Sequence, residues 1–398
     1  MKIDLERIEK ILSGLMLLFF TGGLSPFLPG SALSLIRYSV PVFFAFLLIA
    51  RTSLTIRSIK RGFFIWLLIL LAVASFLWSE IPAITAGSIR SELIPMTIFS
   101  LYFASRFTVK EQLKIVAVTL GTGALLSLFV VVTNPGIGVH LDGKHAGAWK
   151  GIYGNKNGFS AHMALTLVSF FVLTVSNANK AEAWLGRIGV LVSIALIILS
   201  TSKTGLIVFI VVLLILSIYR FYRWKGKQTV LLLDIGTMFA AGITVVMTSF
   251  WNTILFSLGR DPTLSGRTLI WEAAREKIAA NPLLGYGRMA FWAPGSPHAV
   301  YVGSNVSRNY IPSHAHNGFY DLALSLGLIG LGLFFIGFLI TYAHALKRAY
   351  AASSPESFWP LAFLTLLLMY NMTESTLMRS VNIYWVLYVA TVLSVKLR

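Results

Sequence analysis

The sequence predicts an all-α, polytopic integral membrane protein of about twelve transmembrane helices, and three observations carry that prediction. Of 398 residues, 56% are hydrophobic and only 12% charged, where a soluble domain carries about 25% charged residues; the mean hydropathy is +0.77. Apolar runs of about 20 residues, long enough to cross a bilayer as helices, recur along the whole chain. The polar segments between them alternate in charge.

In chain order the spans fall at roughly 9–28, 32–50, 62–79, 93–105, 113–133, 158–176, 184–201, 204–219, 229–251, 318–343, 357–371 and 381–396. The first has no small-residue cleavage site after it and reads as a retained span. The span at 93–105 is short for a crossing. Residues 1–398 read as a single transmembrane domain, with no internal repeat and no low-complexity segment. There is no cysteine, which excludes disulfide and thiol chemistry.

The charge alternation orients the spans. Short basic loops hold Lys2, Arg7 and Lys10; Arg51, Arg57, Lys60 and Arg61; Arg106, Lys110 and Lys114; Lys180 and Arg187; Arg220, Arg223, Lys225 and Lys227; Lys347 and Arg348; and Lys396 and Arg398. Short basic loops are cytoplasmic by the positive-inside rule, so both termini are expected inside. These loops hold 20 of the 33 basic residues, so most of the +18 net charge is topological and no sign of nucleic-acid binding. Thirteen basic residues remain on the outer side or within spans, against eight acidic ones. Topology gives no reason for that outer excess, but an anionic substrate does.

Two long segments lie on the outer side. One, about 134–157, carries His140, Lys144, His145, Lys150 and Lys156. The other, 252–317, is a large loop expected in the periplasm, too long for a plain connector. Within it Arg267 to Ala280 reads as a helix with Ser265 as N-cap, and Arg267, Trp271 and Arg275 share one face. The loop ends in His314-Ala315-His316-Asn317-Gly318-Phe319-Tyr320-Asp321, which runs straight into an apolar helix. Imidazole is the side chain best suited to proton transfer near neutral pH, so a histidine pair at a membrane boundary points to chemistry on a substrate held there. On a helix His314 and His316 would face apart. Asp321 is placed either to orient His316 or to bond a neighbouring helix. Glu374 and Arg379 flank an outer turn and could pair with each other.

Five fragments in order resemble one superfamily. His316-Asn317 followed by Gly327-Leu328-Ile329-Gly330 is similar to the C-terminal signature of the O-antigen ligase and Wzy-type polysaccharide polymerases. Gly151-Ile152-Tyr153-Gly154-Asn155-Lys156-Asn157 looks like the family's entry to a central span. Ser200-Thr201-Ser202-Lys203-Thr204-Gly205 resembles its Ser-x-Ser-Arg-Thr-Gly element, with lysine in place of the commoner arginine. Gly266-Arg267-Thr268-Leu269-Ile270-Trp271 and Pro282-Leu283-Leu284-Gly285-Tyr286-Gly287 look like its outer loop. With Ala290-Phe291-Trp292, that loop most resembles the ExoQ-like exopolysaccharide polymerases. The resemblance covers about residues 150–330.

What the resemblance implies is a GT-C-class glycosyltransferase of the bacterial inner membrane, active at the periplasmic face on undecaprenyl-diphosphate-linked glycan. It implies an inverting transfer with His316 as general base. The lipid diphosphate that leaves needs positive charge, which arginine supplies well, and Arg267, Arg288 and Lys203 are its expected partners. Asn317, Asp321, His314, Arg90 and Lys156 are expected in support. No cofactor and no metal is expected, because no acidic pair stands at metal-ligand spacing. The leading reading is a polymerase of lipid-linked repeat units into O-antigen or exopolysaccharide. A ligase moving the glycan to lipid A-core would use the same donor and base with another acceptor. A transporter or flippase of lipid-linked sugar would call for inverted repeats, which the sequence lacks. Besides acceptor glycan or lipid A-core and membrane lipids, a chain-length regulator is a conceivable partner.

Overall fold

The computed structural model describes residues 5–176, 180–208, 210, 211, 214, 236, 266–351 and 355–395. The expected span at 229–251, most of that at 204–219, the first part of the 252–317 loop and Ser265 lie outside them. The described chain is helical, with one isolated antiparallel bridge, Val139 to Trp149, and no strand. In order come α1 (Leu5–Phe20), α2 (Gly30–Ala50), α3 (Thr52–Ile59), α4 (Phe63–Ala74), α5 (Pro82–Ser88), α6 (Ile94–Arg106), α7 (Val109–Thr133), α8 (Pro135–Gly138), α9 (Lys156–Ser176), α10 (Lys180–Leu199), α11 (Arg267–Ala280), α12 (Pro297–Ser304), α13 (Gly318–Ala351), α14 (Trp359–Asn371) and α15 (Ile383–Ser394). Local chemistry sets several starts. Thr108 and Glu111 form a reciprocal capping box at α7, Asn382 accepts from the first amides of α15, and proline opens α5, α12 and α14.

The chain is a multi-pass membrane protein by its helices, but the twelve expected spans are not all single long helices. Five described helices are long and apolar enough to cross a bilayer: Gly30–Ala50, Val109–Thr133, Lys156–Val175, Lys180–Leu199 and Gly318–Ala349. A sixth arises if Thr52–Ile59 and Phe63–Leu77, bent by 89°, count as one broken span. The expected spans at 9–28, 93–105, 357–371 and 381–396 fold as helices of 16, 13, 13 and 12 residues, short of the roughly 20 that a lone crossing needs. The last two pack in the interior. Every residue from Ile383 to Leu393 is buried, and so is α14 from Trp359 to Leu367.

Ion pairs fall into two sets. At one end Glu9 accepts from Arg51 and Arg106, Glu111 pairs with Lys10, Glu356 with Lys110 and Glu182 with Lys114. At the other, Glu374 pairs with Arg267, Glu92 with Arg288 and Glu80 with His298. Among the described residues no ion pair joins a loop of the first set to one of the second.

One break in the helices positions the site. Within α13 Gly327 takes φ +67°, which leaves backbone groups of the helix unpaired. The segment Pro282–Gly287 docks there and pairs them. Leu328 N–H donates to the Pro282 carbonyl at 2.7 Å, and the Tyr286 and Gly287 amides donate to the Leu324 and Ser325 carbonyls at 2.8 and 3.0 Å. A Cβ at Gly327 would overlap the Leu283 carbonyl, and one at Gly285 would crowd the α13 backbone. The glycines of both motifs therefore serve one backbone-to-backbone junction, which fixes the outer loop on α13.

Candidate active site

His316 sits in the loop entering α13, with φ +53°, in the left-handed region where non-glycine residues are strained. The peptide before it is held from both sides. Ala315 N–H donates to Asp321 Oδ1 at 2.9 Å, and Trp271 Nε1 donates to the Ala315 carbonyl at 2.8 Å. Asp321 is buried and also accepts from Trp292 Nε1 at 2.8 Å. It thus bonds the chain beside His316 and not the imidazole. Asn317 caps α13, its Oδ1 accepting from the Phe319 and Tyr320 amides at 3.0 and 3.3 Å.

This strained turn corrects one expectation. The segment is a loop and not a helix, so His314 and His316 face the same way, with ring centroids 4.0 Å apart. Both meet Glu374, from the turn between α14 and α15. His316 Nδ1 lies 3.3 Å from Glu374 Oε2, and His314 Nε2 lies 3.7 Å from the same oxygen. Glu374 Oε1 accepts from Arg267 Nη2 and from Asn157 Nδ2, both at 2.9 Å. The expected Glu374–Arg379 pair does not form: Arg379 Nη1 donates to the Ser313 carbonyl at 3.1 Å. Burial opposes the Glu374 charge, but the two histidines and the Arg267 guanidinium outweigh it and hold the carboxyl well below the usual carboxylate range.

Arg267 opens α11 and its guanidinium also donates to the Thr373 carbonyl at 2.8 Å. The cap position before it is Gly266 at φ +71°. Of the face expected to carry Arg267, Trp271 and Arg275, the first two turn to the histidine loop, and Arg275 is exposed. Asn157 joins two more of the motifs, because its Oδ1 accepts from Ser202 Oγ at 3.0 Å. Glu374 is therefore the hub that unites the loops around Asn157, Ser202, Arg267 and His316.

Asn157, His316 and Glu374 line a cleft of about 350 Å3, and Arg267 and Ser202, which bond them, are not among its lining residues. His314, His316 and Glu374 form one part of its lining, and His140, His145 and Lys156 another. Glu374 is the one carboxylate among the described lining residues. Lys156 has the exposed Lys203 as its electrostatic neighbour. Burial, then Lys150, His145 and Lys156, push the His140 imidazole below its ordinary value, and its Nε2 is buried with no hydrogen-bond partner among the described residues.

Lys203 is not among the lining residues either, and two other expected cations lie elsewhere. Arg288 is 2% exposed, and its Nη2 donates to Glu92 Oε2 at 3.1 Å and the Met378 carbonyl at 3.2 Å. Its backbone amide and carbonyl bond Ser75 and Thr85, so it ties the outer loop to the bundle and does not line the cleft. Arg90 is exposed on the π-helical turn Ile89–Leu93, also off the cleft lining.

Nitrogen and oxygen atoms of His314, His316 and Glu374 all lie within 4.8 Å of one another, a grouping that the sequence reading did not expect and that could hold a metal ion. The local charge disfavours that use. The Arg267 guanidinium is on Glu374 and 3.5 Å from His316 Nδ1, so a divalent cation would meet a fixed positive charge and compete for its carboxylate. The same set suits proton transfer: a carboxylate acceptor on Nδ1 leaves Nε2 as the basic nitrogen.

The family model described as O-Antigen ligase matches residues 188–335, which include Lys203, Arg267 and the whole histidine loop. Exopolysaccharide production protein ExoQ of Rhizobium meliloti (strain 1021) is 26% identical over 228 residues, 54% of this chain and 51% of its own length. "Putative polysaccharide ligase RP358" of Rickettsia prowazekii (strain Madrid E) is 32% identical over 84 residues, 19% of either chain. The matched stretch thus spans about half of the first relative and about a fifth of the second. These matches support the O-antigen ligase and ExoQ-like superfamily, as the motifs implied.

Proposed function

From an O-antigen-ligase-like stretch over residues 188–335 in a multi-pass membrane protein, we propose a metal-independent, inverting glycosyltransferase that polymerises undecaprenyl-diphosphate-linked repeat units at the periplasmic face of the inner membrane. The observation that carries the proposal is the contact of His316 Nδ1 with Glu374 at 3.3 Å, at a cleft whose other described lining residues are Lys156 and groups with no fixed charge.

In this reading Glu374 accepts a hydrogen bond from His316 Nδ1–H, and Nε2 takes the proton of the acceptor hydroxyl as its oxygen bonds the anomeric carbon. The bond from that carbon to the diphosphate oxygen breaks with its electron pair, and the lipid diphosphate leaves from the opposite side of the sugar. Glu374 stabilises the imidazolium that forms. Lys203 and Lys156 meet the leaving diphosphate. Arg267 acts chiefly through Glu374 and His316, and Arg288 through the position of the outer loop, since each guanidinium already has a carboxylate.

A ligase that transfers glycan to lipid A-core is the second reading, favoured by the description of the matched family. It shares the base and the donor and differs in the acceptor. Purified protein incubated with lipid-linked oligosaccharide, with and without lipid A-core, tests both. A ladder of lengthening products supports the polymerase, and transfer only to lipid A-core supports the ligase. Absence of any covalent product under both conditions overturns the glycosyltransferase reading and leaves transport.

A further inference from the structure

A second cleft, of about 180 Å3, opens at the far end of the bundle. The helix α13 carries both sites. His316 stands just before its first residue, and His344, on the second cleft, lies about 40 Å along the helix path at 1.5 Å per residue. The 89° bend between α3 and α4 forms the mouth, with Lys60 and Arg61 at the turn. Beneath that rim the wall is apolar, formed by Phe64, Leu68, Leu333 and Val392. Gly337 lets α4 come this close, since a Cβ there would sit 3.1 Å from that of Phe64.

The charge at this mouth is unanswered. Five cations elsewhere at this end of the bundle, Lys10, Arg51, Arg106, Lys110 and Lys114, pair with a glutamate. Lys60 and Arg61, which line the cleft, and Arg348, which lies next to its lining residue His344 on α13 but is not itself in the lining, have no ion-pair partner among the described residues. Arg348, one turn beyond His344, has Arg61 as its charged neighbour, and its Nε is buried without a hydrogen-bond partner. Three cations gathered without an acid repel one another, and an anion between them relieves that cost. Guanidinium groups suit phosphate through their planar fork. An apolar wall directly under the cations suits a molecule with a hydrocarbon chain below its charge.

We propose that this cleft binds an anionic membrane phospholipid, its headgroup phosphate held by Arg61, Arg348 and Lys60 and an acyl chain against Phe64, Leu68 and Leu333. The site is independent of the transfer chemistry proposed above and stands or falls without it.

The test is native mass spectrometry of the purified full-length chain in detergent, stripped of lipid and titrated with phosphatidylglycerol or phosphatidylcholine. Phosphatidylglycerol should be retained at least about tenfold better by the parent, and the R61Q/R348Q double variant should lose roughly tenfold or more of that retention, as expected for charge-assisted contacts. Arg57→Gln, an exposed cation on α3 away from the cleft lining, should change nothing. Equal retention of the two lipids by the parent, which needs no variant to fold, overturns the proposal. So does full retention by the double variant, or an equal loss in Arg57→Gln, which would mean diffuse surface charge. Displacement of phosphatidylglycerol by millimolar inorganic phosphate would mean a site for the free anion and would overturn the lipid assignment.

Discussion

Glu374 meets His316 across the cleft edge, Oε2 to Nδ1 at 3.3 Å, while its other oxygen holds Arg267 at 2.9 Å. The carboxylate therefore joins an imidazole to a fixed cation and to the Asn157 amide. That is the relation by which a base is oriented and its charged form stabilised.

The first prediction separates base from orienter. His316→Ala should cut glycan transfer by about 10²–10⁴-fold, the range of a positioned general base, and leave the protein folded, since the side chain is 22% exposed at a loop. Glu374→Gln should cost less, about ten- to a hundredfold, the loss of one charge-assisted contact of roughly 1.5–3 kcal/mol. A transfer assay on lipid-linked substrate with both variants decides. A His316→Ala rate equal to the parent's removes His316 as the base.

The second concerns pH. Burial, with His316 and Arg379 beside it, pushes the His314 imidazole below its ordinary 6.5 despite Glu374. The unfolded chain then binds more protons than the folded one just below pH 6.5, so stability must fall as pH drops through that window, with a slope of at most about 1.4 kcal/mol per pH unit for this group. Melting temperatures of the parent and of His314→Asn, taken from pH 7.5 to 5, should diverge on the acid side, with the variant flatter. Parallel curves would show that His314 does not titrate in this way.

How much of this was legible in the sequence differs by residue. His316, Arg267 and Lys203 stand in contiguous motifs, and local patterns survive without knowledge of the fold. Glu374 was missed as the hub because it lies 58 positions from His316 in a turn with no motif of its own. The one available signal was its rarity, as one of eight acids on a basic face. The facing of His314 was misread because helical spacing was applied to a loop whose direction is set by the positive φ at His316. Arg288 looked free in the chain because its partner Glu92 is contributed by a distant helical turn. The runs at 357–371 and 381–396 fold as short helices in the interior, a difference that hydropathy does not register because it reads burial in protein and burial in lipid alike.

The third prediction concerns metal. Arg267 occupies the charge position that a divalent ion would need beside Glu374 and His316. Transfer should be unchanged, within about twofold, after EDTA treatment and exhaustive dialysis. Loss of activity that returns with Mg²⁺, Mn²⁺ or Zn²⁺ would convert the His314–His316–Glu374 grouping into a metal centre.

The fourth concerns the junction at the broken helix. Gly327→Ala puts a side chain at φ +67° and against the Leu283 carbonyl. Strain of this kind costs about 1–3 kcal/mol, and undocking of Pro282–Gly287 adds to it by freeing the Leu324 and Ser325 carbonyls. The variant should melt several degrees lower. Gly332→Ala, further along the same helix with open space around it, is the control and should melt within about a degree of the parent.

The last prediction distinguishes two cations that the motifs treat alike. Arg288 is buried against Glu92 and the Met378 carbonyl. Lys203 is exposed and is the electrostatic neighbour of Lys156, which lines the cleft. Removing one partner of a buried pair strands the other and costs about 3–5 kcal/mol, so Arg288→Ala should depress the melting temperature sharply. Lys203→Ala loses no ion pair among the described residues and should leave stability within about 0.5 kcal/mol. Its effect should fall on turnover, because a leaving diphosphate gains negative charge in the transition state and a cation beside it acts there more than in binding. A loss of roughly ten- to a hundredfold in rate is expected, with Lys203→Arg close to the parent because it keeps the charge. Thermal melts and transfer rates on the three variants give two independent readings. If Lys203→Ala melts early and Arg288→Ala only slows transfer, the roles are exchanged, and the diphosphate must be sought beside Arg288.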